Sequence, residues 1–180
     1  MLSEILLKYR AYKILNFLTL HRGQSFYDKE ISENTGVSRG ATNQVLNNFL
    51  KNNVVEREKK GRMWFYSVNP QPLLKHFRIF ENLVELSELV QKLSPFVKRI
   101  ILFGSTALGE DTAESDIDLF ILTDNKEAAM KEIRGFKTAR EIKPIVQTPL
   151  EFAESREKDS AFYAEVNKGI ILLDKDNHEL

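Results

Sequence analysis

Phe103-Gly104-Ser105, a ten-residue loop, and then Asp116-Ile117-Asp118-Leu119 form the stretch whose reading decides the fold. Ile100-Ile101-Leu102 precedes it, and Leu119-Phe120-Ile121-Leu122 ends it. Both flanks are short, branched or aromatic, and bounded by Gly and polar residues, which predicts two β-strands. Side chains alternate along a strand, so Asp116 and Asp118 are expected on one face, with Ile117 pointing into the core. Two carboxylates held side by side raise each other's proton affinity, and a cation relieves that repulsion. Hard oxygen donors of this kind suit Mg²⁺. The Gly104-Ser105 turn, ahead of a short helical segment, offers backbone N–H groups and a hydroxyl to a phosphate. Phosphate at one end and a carboxylate-bound metal at the other is equipment for phosphoryl or nucleotidyl transfer.

Gly104-Ser105, the ten-residue gap and Asp116-Ile117-Asp118 resemble the signature of the polymerase-β-like nucleotidyltransferase superfamily. Gly109 and Ser115 stand where the small "minimal" members carry Gly and Ser. The resemblance covers roughly residues 95–180. It implies that Asp116 and Asp118 hold Mg²⁺ in a two-metal site. Gly104 and Ser105 would bind the triphosphate of an NTP, with ATP the expected substrate. It also implies a third carboxylate on the neighbouring strand, and Glu141 is the acid at that place. Glu141 stands at the very start of its strand, and a solvated strand-edge glutamate is the alternative. Lys143, two residues on, would either bind phosphate or spoil the metal site. Minimal relatives act beside a toxin partner and attach nucleotides to a protein hydroxyl, so a protein acceptor is implied. Glu110, Asp111 and Glu114 read as solvated loop charges, with a part for one of them in the site as the alternative. Arg140 reads as half of a surface ion pair, with a phosphate contact as the alternative.

The 180 residues allow one domain or two small ones. The absence of Cys excludes disulfides, zinc–thiolate sites and a thiol nucleophile. No apolar run approaches the about 20 residues of a membrane span. Met1-Leu2-Ser3-Glu4 lacks the build of a signal peptide, so a cytoplasmic location is expected. Residues 1–70 carry 11 Lys and Arg against 6 Asp and Glu, while residues 71–180 carry 15 against 20. A basic module followed by an acidic one suits contact with nucleic acid first and with metal second.

Apolar spacing predicts a helix over residues 3–20, with a break near Arg10. A short helix follows over Lys29 to Thr35, with Asp28 as its N-cap, and a third over Arg39 to Asn52, capped by Ser38. Val54 to Glu58 and Met63 to Val68 read as strands joined by a Lys59-Lys60-Gly61-Arg62 turn. Over about residues 8–69 this order resembles a winged helix-turn-helix. That resemblance implies that the third helix enters the major groove and presents Ser38, Arg39, Thr42 and Asn43 to DNA. Lys59, Lys60 and Arg62 on the wing would meet phosphates. Trp64, Phe65 and Tyr66 read as strand packing.

Pro70-Gln71-Pro72 marks a boundary. Residues 72–93 fit a long amphipathic helix, as linker or as homodimer interface. A helix from Lys126 to Arg134, a strand over Ile142–Gln147, a helix opened by Thr148-Pro149-Leu150-Glu151, one capped by Asp159 and an edge strand over Ile170–Leu173 complete the reading. The expected class is α/β (α+β): a winged helix-turn-helix over 1–70, a linker helix over 71–94 and a nucleotidyltransferase-like domain over 95–180. Two functions follow. One is a Mg²⁺-dependent nucleotidyltransferase guided by its winged helix. The other is a DNA-binding regulator whose second module senses nucleotide or dimerises without turnover.

Overall fold

The computed structural model describes residues 9–175, apart from the side chains of residues 156 and 157. The chain divides into two compact units, the first ending at Leu74 and the second beginning at Lys75.

In the first unit, α1 (Tyr9–Leu20), α2 (Asp28–Thr35) and α3 (Arg39–Lys51) pack with a three-stranded antiparallel sheet. Its strands are β1 (Phe26–Tyr27), β2 (Val55–Lys60) and β3 (Met63–Val68), in the order β1-β3-β2. Ile14, Leu15 and Leu18 of α1 meet helical spacing and are buried, as are Ile31 of α2 and Leu46 and Phe49 of α3. The helix is described from Tyr9 to Leu20, and residues 3–8 of the expected helix lie outside the described residues. Asp28 is not the cap of α2 but its first residue. Glu30 accepts from the Tyr27 N–H at 3.0 Å in its place, which frees the Asp28 carboxylate for α3. Ser38 sits at the N-cap of α3 without a side-chain capping bond. Lys59 and Lys60 belong to β2, and the hairpin turns at Gly61 and Arg62 alone.

α4 (Pro72–Leu93) carries the chain across the boundary. The second unit then runs β4 (Arg99–Phe103), α5 (Gly104–Ala107), β5 (Ile117–Leu122), α6 (Lys126–Gly135), β6 (Ile142–Gln147), α7 (Pro149–Lys158), α8 (Ser160–Val166) and β7 (Ile170–Asp174). The mixed sheet has the order β6-β5-β4-β7. β5 and β6 are parallel, as the α6 crossover allows, and the other two pairings are antiparallel. Both faces of β5 are covered, which is why Leu119 to Leu122 is an unbroken apolar run. Ile117, Leu119 and Ile121 pack beneath Leu86, Leu89 and Leu93 of α4 and Ala129 and Ile133 of α6. Phe120 and Leu122 face the other way, against Phe152 of α7 and Tyr163 and Val166 of α8. From residue 75 on, α4 is therefore part of this unit's core.

The helix starts behave as their sequences dictate. Thr148 and Glu151 exchange reciprocal bonds at the head of α7, with Pro149 at its first position, and Asp159 accepts from the Phe162 N–H to cap α8.

Candidate functional site

β4 delivers Phe103 opposite Asp118 in antiparallel register, and the chain then turns into α5 at Gly104. Gly104 has φ +68°, and a Cβ there would collide with the Asp118 carboxylate. The turn backbone can lie against the acid only because residue 104 has no side chain. Thr106 is fully buried and donates its hydroxyl to the Asp116 carbonyl at 3.0 Å, which ties the end of the turn to the start of β5. Gly104, Ser105, Asp116 and Asp118 are thus brought together from positions 104–105 and 116–118.

Asp116 and Asp118 are both half-buried, while Ile117 between them is fully buried, as strand alternation predicts. Burial, and next the charge of Asp116, push the Asp118 carboxyl above its ordinary range, and Lys143 partly offsets this. Lys143 is the β6 residue in register with Asp118, and its ammonium lies 2.5 Å from Asp116 Oδ2. That contact holds the lysine above its ordinary value. Glu141 stands exposed immediately before β6, and its carbonyl accepts from the Ile117 N–H at 2.8 Å. Among the described residues, no three His, Asp or Glu side chains gather where they could hold one metal ion. The acid pair offers hard oxygen donors of the kind that suit a hard divalent cation. The partner it meets across the strands is a lysine, not a third carboxylate.

Behind the turn lies a charged cluster that the sequence reading did not find. Asp111 is not a solvated loop residue. It is fully buried, and it accepts from Arg78 at 2.6 Å, Arg140 at 2.7 Å and Asn82 at 3.0 Å. Arg140 is likewise buried rather than at the surface, and it also reaches Asn82 and Glu85. Asn82 donates to the Thr106 carbonyl at 3.0 Å, so the cluster connects α4, the loop after α5 and the approach to β6. Gly109, at φ +63°, completes this clamp, since a Cβ there would run into the Lys75 backbone carbonyl. The signal was present in α4. Leu74, Arg78, Asn82, Leu86, Leu89 and Leu93 recur at steps of three or four and are the buried stripe, whereas Phe80 and Val84 stand exposed. Counting only apolar residues hid the two polar members of that stripe.

In the first unit, Thr42 is not offered to a ligand. It is fully buried, and its hydroxyl donates to the Val37 carbonyl at 3.3 Å. The inward face of α3 claims it, because Leu46 and Phe49, four and seven residues on, are buried too. Arg39 makes a two-pronged contact with Asp28, at 2.7 and 3.1 Å, and Asn43 adds a third bond at 3.1 Å. The Arg39 hydrogen bond is the main reason the Asp28 carboxyl sits below its ordinary range. Ser38 and Arg62 are exposed. Lys59 lies 5.9 Å from the Trp64 ring centroid on one face of the hairpin, with Arg57 at 4.3 Å, while Lys60 lies 5.3 Å from that of Phe65 on the other. Tyr66 is buried as expected, but Trp64 is 42% exposed and carries its cations on a solvent-facing ring.

Among the described residues, no helix is long and apolar enough to cross a membrane. No curated protein matches the chain. A solved structure from Sulfolobus solfataricus, of a protein provisionally named a nucleotidyltransferase, aligns at a TM-score of 0.40 with 17% identity. The alignment covers 59% of this chain and 92% of that one. The family described as "Polymerase beta, Nucleotidyltransferase" matches residues 85–178, which takes in the Gly-Ser turn, the acid pair and Lys143. By that match over more than half its length, the chain belongs to the polymerase beta nucleotidyltransferase family.

Proposed function

We propose that the second unit transfers a nucleoside monophosphate from an NTP, ATP first among candidates, to a hydroxyl acceptor. The observation that carries this reading is the packing of the Gly104 backbone against Asp118, with Asp116 beside it on the same strand face. Asp116 and Asp118 would hold Mg²⁺, which when bound neutralises phosphate charge at the reacting centre. The backbone N–H groups of the Gly104-Ser105 turn and the Ser105 hydroxyl would supply donors to the phosphates. The buried Arg78–Asp111–Arg140 cluster keeps that turn fixed relative to the acids, so that positioning carries most of the rate. Glu141, exposed at the head of β6, would help activate the acceptor hydroxyl. Membership of this family supports a nucleotidyl donor, and the resemblance to minimal relatives suggests a protein hydroxyl as acceptor.

The first unit would be a winged helix-turn-helix domain that brings the enzyme to DNA. Its basic excess and the Lys59, Lys60 and Arg62 hairpin support that role. Arg39 and Asn43 would exchange Asp28 for base edges on binding, with Ser38 at the helix start beside them.

One observation favours the second reading, a nucleotide-sensing regulator without turnover. Asp116 is met by Lys143 rather than by another acid. Incubation of the full chain with α-labelled NTPs, Mg²⁺ and candidate protein acceptors decides between them. Label in a protein band, lost in Asp118→Asn, is the expected result. Mg²⁺-dependent nucleotide binding with no pyrophosphate released under any condition would establish the sensor.

A further inference from the structure

Taking the acid pair as the metal end of that nucleotide site, we infer that Lys143 is a built-in counter-ion. A divalent cation must displace it, and once displaced it pairs with the nucleotide's phosphate chain. Three observations carry this. The Lys143 ammonium lies 2.5 Å from Asp116 Oδ2, where it meets the oxygen a metal would need. Its backbone is in register with Asp118, so the side chain is rooted beside both carboxylates and has only to pivot. Its side chain is 56% exposed, and that of Asp116 is 35% exposed, which makes the pair a weak, solvent-screened one that a doubly charged ion outcompetes. Lys143 is also the cation this side of the sheet presents at the pair, since Arg140 is held in the buried cluster with Asp111 and Glu85.

The consequence is a coupling. Metal alone has to remove the lysine from Asp116 and leaves its ammonium only the more distant charge of Glu141 beside a newly bound cation. Metal carrying a phosphate chain supplies the lysine with a new anion as it takes the old one. The two ligands therefore help each other bind, by equal factors in either order. Lysine suits the task because its ammonium is a point charge on a flexible stem, which can serve a carboxylate and then a phosphate.

The test compares wild type, Lys143→Ala, Lys143→Arg and Asp116→Asn/Asp118→Asn as full chains. Mn²⁺ binding is read by electron paramagnetic resonance, and binding of Mn²⁺–tripolyphosphate, which carries no base, by calorimetry. Lys143→Ala is expected to bind free Mn²⁺ several-fold more tightly than wild type and Mn²⁺–tripolyphosphate several-fold more weakly. Lys143→Arg should stay close to wild type for both. Loss of folding would move both affinities down together, so the opposite signs are the signature. Equal affinities in wild type and Lys143→Ala, or shifts of the same sign, would overturn the role of Lys143 and leave the acid pair as a metal site. Binding of neither ligand by any form would instead sink the metal–nucleotide reading itself.

Discussion

Asp111→Ala is expected to destabilise the second unit by about 3–5 kcal/mol, the usual cost of removing one partner from a buried ion pair. Two guanidinium groups, Arg78 and Arg140, converge on this carboxylate, and the side chains of both are only 5% exposed. Water cannot replace what the carboxylate gives them. Asn82, which also bonds Asp111, would lose a partner in the same step and loosen its hold on the Thr106 carbonyl. Asp111→Asn keeps the shape and one acceptor but leaves the positive charges unbalanced, and it should fall between. Urea denaturation followed by circular dichroism measures the change. A loss below about 1 kcal/mol for Asp111→Ala, the scale of a surface pair, would mean that the cluster is solvated and does not clamp the loop.

Gly104→Ala is expected to leave the overall fold standing and to cut nucleotidyl transfer on the order of 100-fold, as misplacement of reacting groups by about 1 Å does. Two effects add at this position. The backbone is left-handed, which strains any L side chain by about 1–3 kcal/mol. The new methyl would also occupy the place of the Asp118 carboxylate. Relief comes from moving either the acid or the turn, and each movement separates the two halves of the proposed site. Gly61→Ala is the matched control, because φ there is +64° with open space around it. The assay is label transfer or pyrophosphate release at saturating nucleotide, with thermal unfolding run alongside. Transfer by Gly104→Ala within a few-fold of wild type would remove the turn from the site.

The two cases mark what the sequence could and could not reveal. β4, β5 and β6 were legible because apolar runs bounded by Gly and polar residues have few other homes. Thr148-Pro149-Leu150-Glu151 was legible because a capping box is a local code read within four residues. The acid pair and the Gly-Ser turn follow from strand alternation and from the position of glycine. β1 escaped because a two-residue strand has no periodicity of its own, and it exists through pairing with Phe65 and Tyr66. Thr42 is polar and so reads as outward, yet its place on α3, ahead of Leu46 and Phe49, sets its direction. A carboxylate in a loop likewise reads as solvated, yet Asp111 is buried. Its partners stand 29 and 33 residues away, and their convergence is a property of the fold rather than of any window of sequence. Buried charge in a mostly apolar stripe is the pattern that hydropathy alone misses.

Calorimetric titration of ATP, GTP, CTP and UTP with Mg²⁺ into the wild type and Asp116→Asn/Asp118→Asn tests the central claim most directly. Circular dichroism of the double variant checks that it is folded, so that lost binding reports on the acid pair itself. Mg²⁺-dependent binding of at least one nucleotide to the wild type, absent from the double variant, is the predicted result. No binding of any nucleotide to the wild type, or binding unchanged by the substitutions, would contradict it.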